Sequence, residues 1–247
     1  FIRTGYDMYT FSKKDKKPFF IRFLYFLLTK FALTNADIYS VSSTDDQNFL
    51  SSFKKSEKIE LLPNWVENLN TNNFENRYNN KLLAVGRLES QKNYPLLIKS
   101  FQNSNLEIDI YGDGSLKKEL KELSLQYNVK ANFLGNLTYN TLKKEFQKYK
   151  IYISTSLFEG NPKSTMEAMS AGCIPIVLNI PNNRELIVNE INGYLFEPND
   201  NIEQLVKNVL ANINKSFEVS KNTKETINEK FNIDIICKKE NELITNL

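Results

Sequence analysis

The sequence IYISTSLFEGNPKSTMEAMSAGCIPIVLNI, from Ile151 to Ile180, carries a short apolar run at each end. These runs, IYIST and IPIVLNI, are typical of strands buried in a parallel sheet. Between them lie a polar loop and a helical pattern, whose small residues Ala168, Ala171 and Gly172 suit close packing on a sheet. The stretch therefore predicts a strand, a loop, a helix and a second strand, the repeating unit of parallel α/β sheets.

Two acidic residues, Glu159 and Glu167, lie on this loop and helix with seven residues between them. Pro162 suits the first helical position with Asn161 as its cap, so the helix would present free backbone N–H groups to an anionic or hydroxyl-rich ligand. A plainer interpretation is also open. Ser164 and Glu167 have the spacing of a capping box, and Glu159 is then a solvated loop acid. Taken alone, these residues favour the plainer interpretation, because most carboxylates lie on protein surfaces.

The composition limits the chemistry. The 247 residues are 41% hydrophobic and 25% charged, which suits one large or two small folded domains. A net charge of +3 is too small to indicate nucleic-acid binding. The sequence contains no histidine, which excludes histidine metal ligands, histidine bases and Ser–His or Cys–His nucleophiles. Since there is also no Walker A motif and no D-x-D pair, we expect neither a metal nor another cofactor.

The two cysteines, Cys173 and Cys237, are far apart and form no CxxC motif. This pattern fits a reducing compartment, so we expect a cytoplasmic protein. The chain begins with Phe1 rather than Met, which indicates a fragment or a processed piece.

From Lys81 onward, apolar strand patterns alternate with helical patterns, which predicts an α/β fold with a Rossmann-like, doubly wound parallel sheet. The Asn-rich stretch 68–80 is interpreted as a linker and domain boundary. We therefore expect a first domain with its linker over residues 1–80, a ligand-binding domain over 81–232 and a final helix over 233–247. Within the first part, the patterns predict an irregular basic segment at 1–17, strands at 36–42 and 58–62, and a helix at 44–53.

A basic, aromatic helix is predicted to start at Pro18 and to include Phe31. It is too short and too interrupted, by Arg22 and Lys30, to span a membrane. Two interpretations remain. The helix packs between elements of a domain, as an all-round apolar helix usually does, or it lies on an anionic membrane with its lysines on phosphates. The first is favoured by the sequence alone.

Basic residues follow the first strand of the second block. Arg87 and Lys92 are five residues apart, and both can reach one point at the carboxyl edge of the sheet, where ligands of such folds bind. Two fixed cations suit a diphosphate, although exposed solvated side chains are the more common case. The sequence Gly112-Asp113-Gly114 starts like a dinucleotide fingerprint, but Lys117 stands where the third glycine would fall. A tight turn explains it equally well.

With these residues assembled, the chain resembles the carboxyl-terminal half of a retaining glycosyltransferase of family four, the glycosyl transferases group one type, with the GT-B fold. The resembling stretches follow the family's order between Lys81 and Pro198, and the ordered set is more specific than any single motif. They are AVGRLESQKNYPLLIKSF, IDIYGDGSLKKEL, NFLGNL, STSLFEGNPKSTMEAMSAGCIPIV and NGYLFEP.

The resemblance implies that the chain binds a nucleotide-diphosphate-sugar donor. It implies that each part of the donor meets a chemically suited group, since cations and helix N-termini bind phosphate and carboxylates accept from hydroxyls. The implied roles are diphosphate binding by Arg87, Lys92 and the backbone near Ser164 and Thr165; sugar binding by Glu159, also the catalytic residue, with Gly160 and Asn161; ribose binding by Glu167; and base binding by the loop from Gly135 to Leu137.

The implied reaction transfers the sugar to a glycan or lipid-linked acceptor with retained configuration and without a metal. The resemblance also implies a role in bacterial surface polysaccharide, capsule, lipopolysaccharide or glycolipid synthesis at the inner face of the membrane. Pro162 departs from the glycine of some members and has no N–H to offer a sugar hydroxyl. Asn161 and Lys163 replace apolar residues, which puts the choice of sugar in doubt. The acceptor domain is mostly missing from this sequence.

Two other functions stay open on the sequence. One is a nucleotide-sugar binding module without turnover, which the missing acceptor domain favours. The other is a nucleotide-sugar epimerase with the same two-domain fold, which the pair Glu159 and Glu167 disfavours.

Overall fold

The chain forms two parallel β-sheets flanked by helices. The computed structural model describes residues 1–4, 7–52, 59–69 and 73–246. The smaller sheet, with strand order β1-β2-β3, belongs to what we call the N-terminal lobe, which comprises the described residues before 70. Its described elements are β1 (Ile2–Arg3), α1 (Met8–Lys14), α2 (Phe19–Asn35), β2 (Tyr39–Val41), α3 (Thr44–Ser51) and β3 (Ile59–Leu61).

The larger sheet has six strands, all parallel, in the order β6-β5-β4-β7-β8-β9. Counted from its first strand this is the 3-2-1-4-5-6 order of dinucleotide-binding folds, and it confirms the predicted fold class. The order reverses between β4 and β7, so the loops that follow these two strands border one crevice. The strands are β4 (Tyr78–Val85), β5 (Glu107–Tyr111), β6 (Lys130–Gly135), β7 (Tyr149–Ser154), β8 (Ile174–Leu178) and β9 (Tyr194–Phe196).

Helices cover both faces of this sheet. Leu82 and Ala84 belong to the core cluster on one face, and Leu83 belongs to the cluster on the other, because successive side chains of a strand point to opposite faces. The helices are α4 (Tyr94–Ser100), α5 (Lys117–Gln126), α6 (Tyr139–Phe146), α7 (Lys163–Ser170), α8 (Pro181–Leu186), α9 (Ile202–Ala211), α10 (Ile213–Lys230) and α11 (Ile233–Thr245).

The structure differs from the sequence-based expectations at several boundaries. The segment predicted as irregular contains β1 and α1, and the buried Asp7 caps α1 by accepting from the Thr10 N–H. Strand β4 begins at Tyr78, inside the stretch predicted as a linker, and a 3-10 turn at Phe74–Asn76 precedes it. Phe53 and Lys58, at the ends of a predicted helix and strand, lie outside the described residues, as do residues 70–72 of the predicted linker.

Helix α2 begins at Phe19, one residue after the predicted start, and it is not buried all round. It is packed on one side, where Leu33 joins the core of the N-terminal lobe, while its other side is exposed, including Phe20 and Phe31. None of the described helices has both the length and the hydropathy needed to cross a bilayer.

Several contacts join the N-terminal lobe to the larger sheet. Arg3 on β1 forms an ion pair with Glu240 on α11, so the last helix lies against the N-terminal lobe. Phe11 on α1 packs edge-on against Phe158, with 5.8 Å between the ring centroids. The interlobe crevice is therefore lined by both lobes at the point where the strand order reverses.

Candidate functional site

The loops after β4 and β7 are tied to each other at the crevice. The Thr155 hydroxyl donates to the carbonyls of Lys92 and Asn93, at 2.9 Å in each case. The Leu157 N–H donates to the Gln91 carbonyl at 2.9 Å, and Gln91 Nε2 donates to the Phe158 carbonyl at 2.8 Å. These bonds hold the segment before Glu159 against the segment before Lys92.

The charged ends of Lys92 and Glu159 meet in the crevice. Lys92 Nζ lies 2.5 Å from Glu159 Oε1, and the two side chains are only 15% and 12% exposed. The Lys92 stem crosses Gly86 so closely that a Cβ there would lie 3.0 Å from Lys92 Cε. Arg87 follows Gly86 directly and is exposed. The structure thus brings the predicted sugar-binding acid and a predicted phosphate-binding cation into contact.

Glycines at the ends of β4, β5 and β6 let the strand ends approach closely. The Gly112 N–H donates to the Gly135 carbonyl at 2.8 Å, and a Cβ on Gly112 would lie 1.9 Å from the Gly86 carbonyl oxygen. Asp113 accepts from the Gly114 N–H and pairs with Lys117, so its carboxylate is engaged within its own turn. The Gly112–Gly114 segment is a close-packed turn, the tight turn that the sequence allowed.

Helix α7 starts one residue later than the sequence predicts. Pro162 is the N-cap rather than the first helical residue, and no side chain caps the helix. Asn161 fails as a cap because its Nδ2 donates across the crevice to the Ser42 carbonyl at 3.4 Å. The alternative capping box from Ser164 to Glu167 is also wrong, since the helix begins at Lys163 without a capping hydrogen bond from either side chain.

The start of α7 presents a set of unoccupied N–H groups. The Lys163 N–H bonds to the Asn161 carbonyl and the Met166 N–H bonds to the Pro162 carbonyl. Within the described chain, no hydrogen-bond acceptor is found for four other backbone N–H groups in or just before the first turn of α7. They belong to Gly160, Asn161, Ser164 and Thr165, the residues expected to meet the donor through their backbone.

The hydroxyl groups of Ser164 and Thr165 are not free to face a ligand. The Ser164 hydroxyl lies 2.9 Å from the Tyr152 hydroxyl, and Thr165 is buried. Burial raises the pKa of the Tyr152 phenol to about 12, and the Glu159 charge adds to the shift. A ligand in front of α7 therefore meets backbone N–H groups rather than the hydroxyls of Ser164 and Thr165.

Glu167 is a buried acid on α7. Burial raises the pKa of its carboxyl to about 7, while the nearby charges of Lys163 and Lys143 oppose the shift and Glu67 adds to it. Lys163 Nζ lies 5.7 Å from the Tyr139 ring centroid and Lys143 Nζ lies 4.2 Å from it. A buried carboxylate has lost its hydrogen bonds to water, so hydroxyl groups of a ligand that donate to it would stabilise its ionised form.

The loop predicted to lie beside the base precedes this aromatic group. Gly135 ends β6 with φ +75°, and Leu137 is 36% exposed. Thr138 then caps α6 by accepting from the Thr141 N–H, which places Tyr139 in the first turn. The chain order Gly135, Leu137, Tyr139 thus leads from the sheet edge to the surroundings of Glu167.

Comparison with known proteins identifies the family of this chain. The family model described as "Glycosyl transferases group 1" matches residues 67–230. This chain belongs to the glycosyl transferases group 1 family. The match covers the whole larger sheet, including Lys92, Glu159 and Glu167.

Two relatives of this chain are named as transferases. The chain is 30% identical over 192 residues to the GtfA subunit of UDP-N-acetylglucosamine–peptide N-acetylglucosaminyltransferase from Streptococcus agalactiae, covering 71% of this chain and 38% of that protein. It is 35% identical over 161 residues to the UDP-Gal:alpha-D-GlcNAc-diphosphoundecaprenol alpha-1,3-galactosyltransferase of Escherichia coli, covering 60% of this chain and 41% of that protein.

A solved structure with the same fold is that of a TarM variant from S. aureus in complex with Fondaparinux, alpha-GlcNAc-glycerol and UDP. It superposes with a TM-score of 0.77 at 22% identity, covering 86% of this chain and 44% of that one. The match to a GT-B glycosyltransferase over less than half its length fits a chain whose N-terminal domain is incomplete. The chain spans about 40% of the length of all three proteins.

Sequence reasoning missed several features of the candidate site that arise from tertiary contacts. The Gly160 carbonyl accepts from Nδ2 of the buried Asn182 at 2.7 Å, which fixes the loop that carries Glu159. Glu185, one turn later on α8, accepts from the Thr44 N–H at 3.1 Å and so docks α3. Trp65, the only tryptophan of the sequence, lies 6.0 Å from Lys163 Nζ. Of these residues, only Trp65 stands out in the sequence as a candidate for a binding site, because it is a large aromatic residue in a predicted turn.

Proposed function

We propose that this chain is the donor-binding half of a retaining, metal-independent hexosyltransferase that uses a nucleotide-diphosphate-sugar. The observation that supports it best is the contact between Lys92 and Glu159, on the loop that leads into the uncapped start of α7. A cation, an acid and a helix start in one crevice match the diphosphate and the hydroxyl-rich sugar of such a donor.

The donor lies along the crevice between the two loops. Its diphosphate binds Arg87, Lys92 and the N–H groups of Ser164 and Thr165. Its sugar hydroxyls donate to Glu159 and accept from the N–H groups of Gly160 and Asn161. Its ribose hydroxyls donate to the Glu167 carboxylate, and its base lies beside the loop from Gly135 to Leu137.

Bond cleavage leaves negative charge on the departing nucleotide diphosphate. Lys92, Arg87 and the start of α7 contact the diphosphate once the donor is bound, so they stabilise this charge as it develops. The departing phosphate takes the proton of the acceptor hydroxyl on the same face of the sugar, which retains the configuration. Glu159 is the catalytic residue, because it holds the sugar while charge develops at the anomeric carbon.

We propose UDP as the nucleotide, since a structural relative was solved with UDP and two sequence relatives are named for UDP-sugar donors. The relatives are named transferases, which favours an enzyme over a binding module. The acceptor is a glycan or a lipid-linked glycan of a bacterial surface polysaccharide, because one relative is named for a diphosphoundecaprenol-linked acceptor. We place the protein in the cytoplasm, at the inner face of the membrane, with the helix over Pro18–Phe31 against the bilayer.

Thermal unfolding with nucleotides tests the donor assignment. A ligand that binds only the native state raises Tm. We expect UDP to raise Tm more than GDP or ADP, and by the same amount in EDTA and in Mg²⁺. A shift that needs Mg²⁺ would overturn metal independence, and an equal shift with all three nucleotides would overturn the choice of UDP. The stereochemistry is tested by NMR on the anomeric proton of the first product formed from a UDP-sugar, where an inverted product rejects retention.

A further inference from the structure

Helix α2 turns a continuous apolar face to solvent. Seven large apolar side chains, spaced three or four residues apart along one side of the helix, are between 46% and 74% exposed. A surface of this kind on a single helix marks an interaction site. The residues are Phe19, Phe20, Phe23, Leu24, Leu27, Leu28 and Phe31.

A groove of about 290 Å³ opens between α1 and this face. Its walls are four aromatic rings and its charged lining residues are Lys13 and Arg22. Arg22 Nε is buried and has no hydrogen-bond partner within the described structure. A buried guanidinium N–H without an acceptor is costly, so an anionic oxygen in this groove would satisfy it. The aromatic residues are Tyr9, Phe19, Phe23 and Phe26.

The N-terminus of α2 adds to the positive potential at the groove. Its N-cap is Pro18, no side chain caps it, and its first turn has no acid. The stretch 8–35 contains six basic residues and one acid, Asp15. Two of the lysines have acidic partners, Lys14 with Asp45 and Lys17 with Asp15. The segment thus joins an exposed apolar face to an excess of positive charge, as helices that lie on anionic membranes do.

We propose that this groove binds the headgroup phosphate of an anionic phospholipid while the apolar face of α2 enters the bilayer interface. Lys13 and Arg22 contact the phosphate oxygens, and Phe20, Leu24 and Phe31 contact the acyl chains. The proposal rests on the proposed location at the membrane and names the lipid group that the chain recognises.

This placement has a consequence for the acceptor. Phe11, on the same helix as Lys13, packs against Phe158, the residue before Glu159. A bilayer on α2 therefore lies one helix away from the donor crevice. An acceptor sugar carried on a lipid would reach this crevice from the bilayer side.

Flotation of the whole chain with lipid vesicles tests the proposal, without any nucleotide present. We expect binding to vesicles of phosphatidylcholine mixed with phosphatidylglycerol, and little binding to phosphatidylcholine alone. Replacing both groove cations, Lys13→Gln with Arg22→Gln, should weaken binding about 30-fold, because each cation near an anionic surface contributes about 1 kcal/mol. Replacing both exposed rings, Phe20→Ser with Phe31→Ser, should weaken it by about tenfold or more.

Matched controls use helix α5, which covers the larger sheet and does not line the groove. Lys118→Gln with Lys121→Gln removes two exposed cations, and Leu125→Ser removes a side chain that is 82% exposed. Neither control should change vesicle binding by more than about twofold. An equal loss in the control and groove cation variants would show binding by net charge and would overturn the headgroup site.

Two further outcomes would contradict the proposal. If glycerol phosphate in solution binds as tightly as the vesicles do, the groove recognises a free phosphate rather than a membrane lipid. If the parent chain self-associates through α2 and ignores anionic vesicles, with Phe20→Ser and Phe31→Ser restoring a monomer in sedimentation velocity, the face is a protein interface. Nucleotide binding by the same preparation is read separately, so a failure here leaves the donor assignment standing.

Discussion

Lys92 Nζ and Glu159 Oε1 lie 2.5 Å apart, so the phosphate-binding cation and the sugar-binding acid of the proposed donor site neutralise each other in the free chain. The pair is mostly shielded from water, which strengthens its attraction. A nucleotide diphosphate competes with Glu159 for Lys92, and the sugar competes with Lys92 for Glu159. A complete donor satisfies both groups at once, whereas a bare nucleotide leaves the acid without its cation.

The first prediction follows from this competition. In Glu159→Gln, Lys92 is released, so the affinity for bare UDP stays the same or rises. The extra affinity that the sugar of UDP-glucose provides falls by about 1.5–3 kcal/mol, the range for hydrogen bonds to a charged group. Calorimetric titration with UDP and with UDP-glucose measures the two affinities. Equal losses for both ligands would show that Glu159 does not hold the sugar.

The second prediction concerns pH. Because the pKa of Glu167 is raised from 4.5 to about 7, the folded chain binds more protons than the unfolded chain between these values. The free energy of unfolding should therefore fall as the pH rises from about 4.5 to 7, and it should stay reduced above 7. Glu167→Gln should make this decline shallower in urea unfolding, and the buried Asp46, whose pKa is also raised to about 7, should account for the part that remains. An unchanged decline in the variant would assign all of it to other groups.

Donor binding should depend on pH in the opposite direction. The ionised Glu167 carboxylate accepts from ribose hydroxyls, so affinity should rise with pH, by up to about tenfold per pH unit below the pKa. UDP-glucose is the suitable ligand, because neither of its phosphates titrates in this range. Glu167→Gln should bind more weakly above neutrality and without this pH dependence. A parent affinity that stays flat through neutral pH would reject the role of Glu167.

The third prediction compares two glycines at the sheet edge. Gly112 and Gly135 both have positive φ, at +147° and +75°. A Cβ on Gly112 would lie 1.9 Å from the Gly86 carbonyl oxygen, whereas a Cβ on Gly135 meets nothing within 4 Å. Gly135→Ala should cost about 1–2 kcal/mol of unfolding free energy, for the left-handed backbone alone.

Gly112→Ala should cost about 4 kcal/mol or more, since the backbone must also move away. Urea unfolding of both variants measures the difference. Equal losses of unfolding free energy in the two variants would contradict the prediction. They would show that the close packing of the strand ends behind Arg87 and Lys92 does not contribute to stability.

The fold, and the meeting of Lys92 with Glu159, were predictable from the sequence because they depend on local patterns. Apolar runs alternating with helices predict the parallel sheet, and the carboxyl-edge rule then brings Lys92 towards Glu159. The start of α7 was predicted one residue early, because Asn161 bonds to the Ser42 carbonyl of the other lobe. The support from Asn182 and the burial of Glu167 were also missed, since they depend on side chains far apart in sequence.

Calorimetric titration of UDP into this chain in EDTA tests the central claim, that the crevice between the β4 and β7 loops holds the donor diphosphate. We predict binding without a metal, which Lys92→Ala and Arg87→Ala each weaken by about 1–3 kcal/mol, while Lys118→Ala, which removes an exposed cation on α5, has no effect. Absence of UDP binding, or an affinity that Lys92→Ala and Arg87→Ala leave equal to that of the Lys118→Ala control, would contradict the claim.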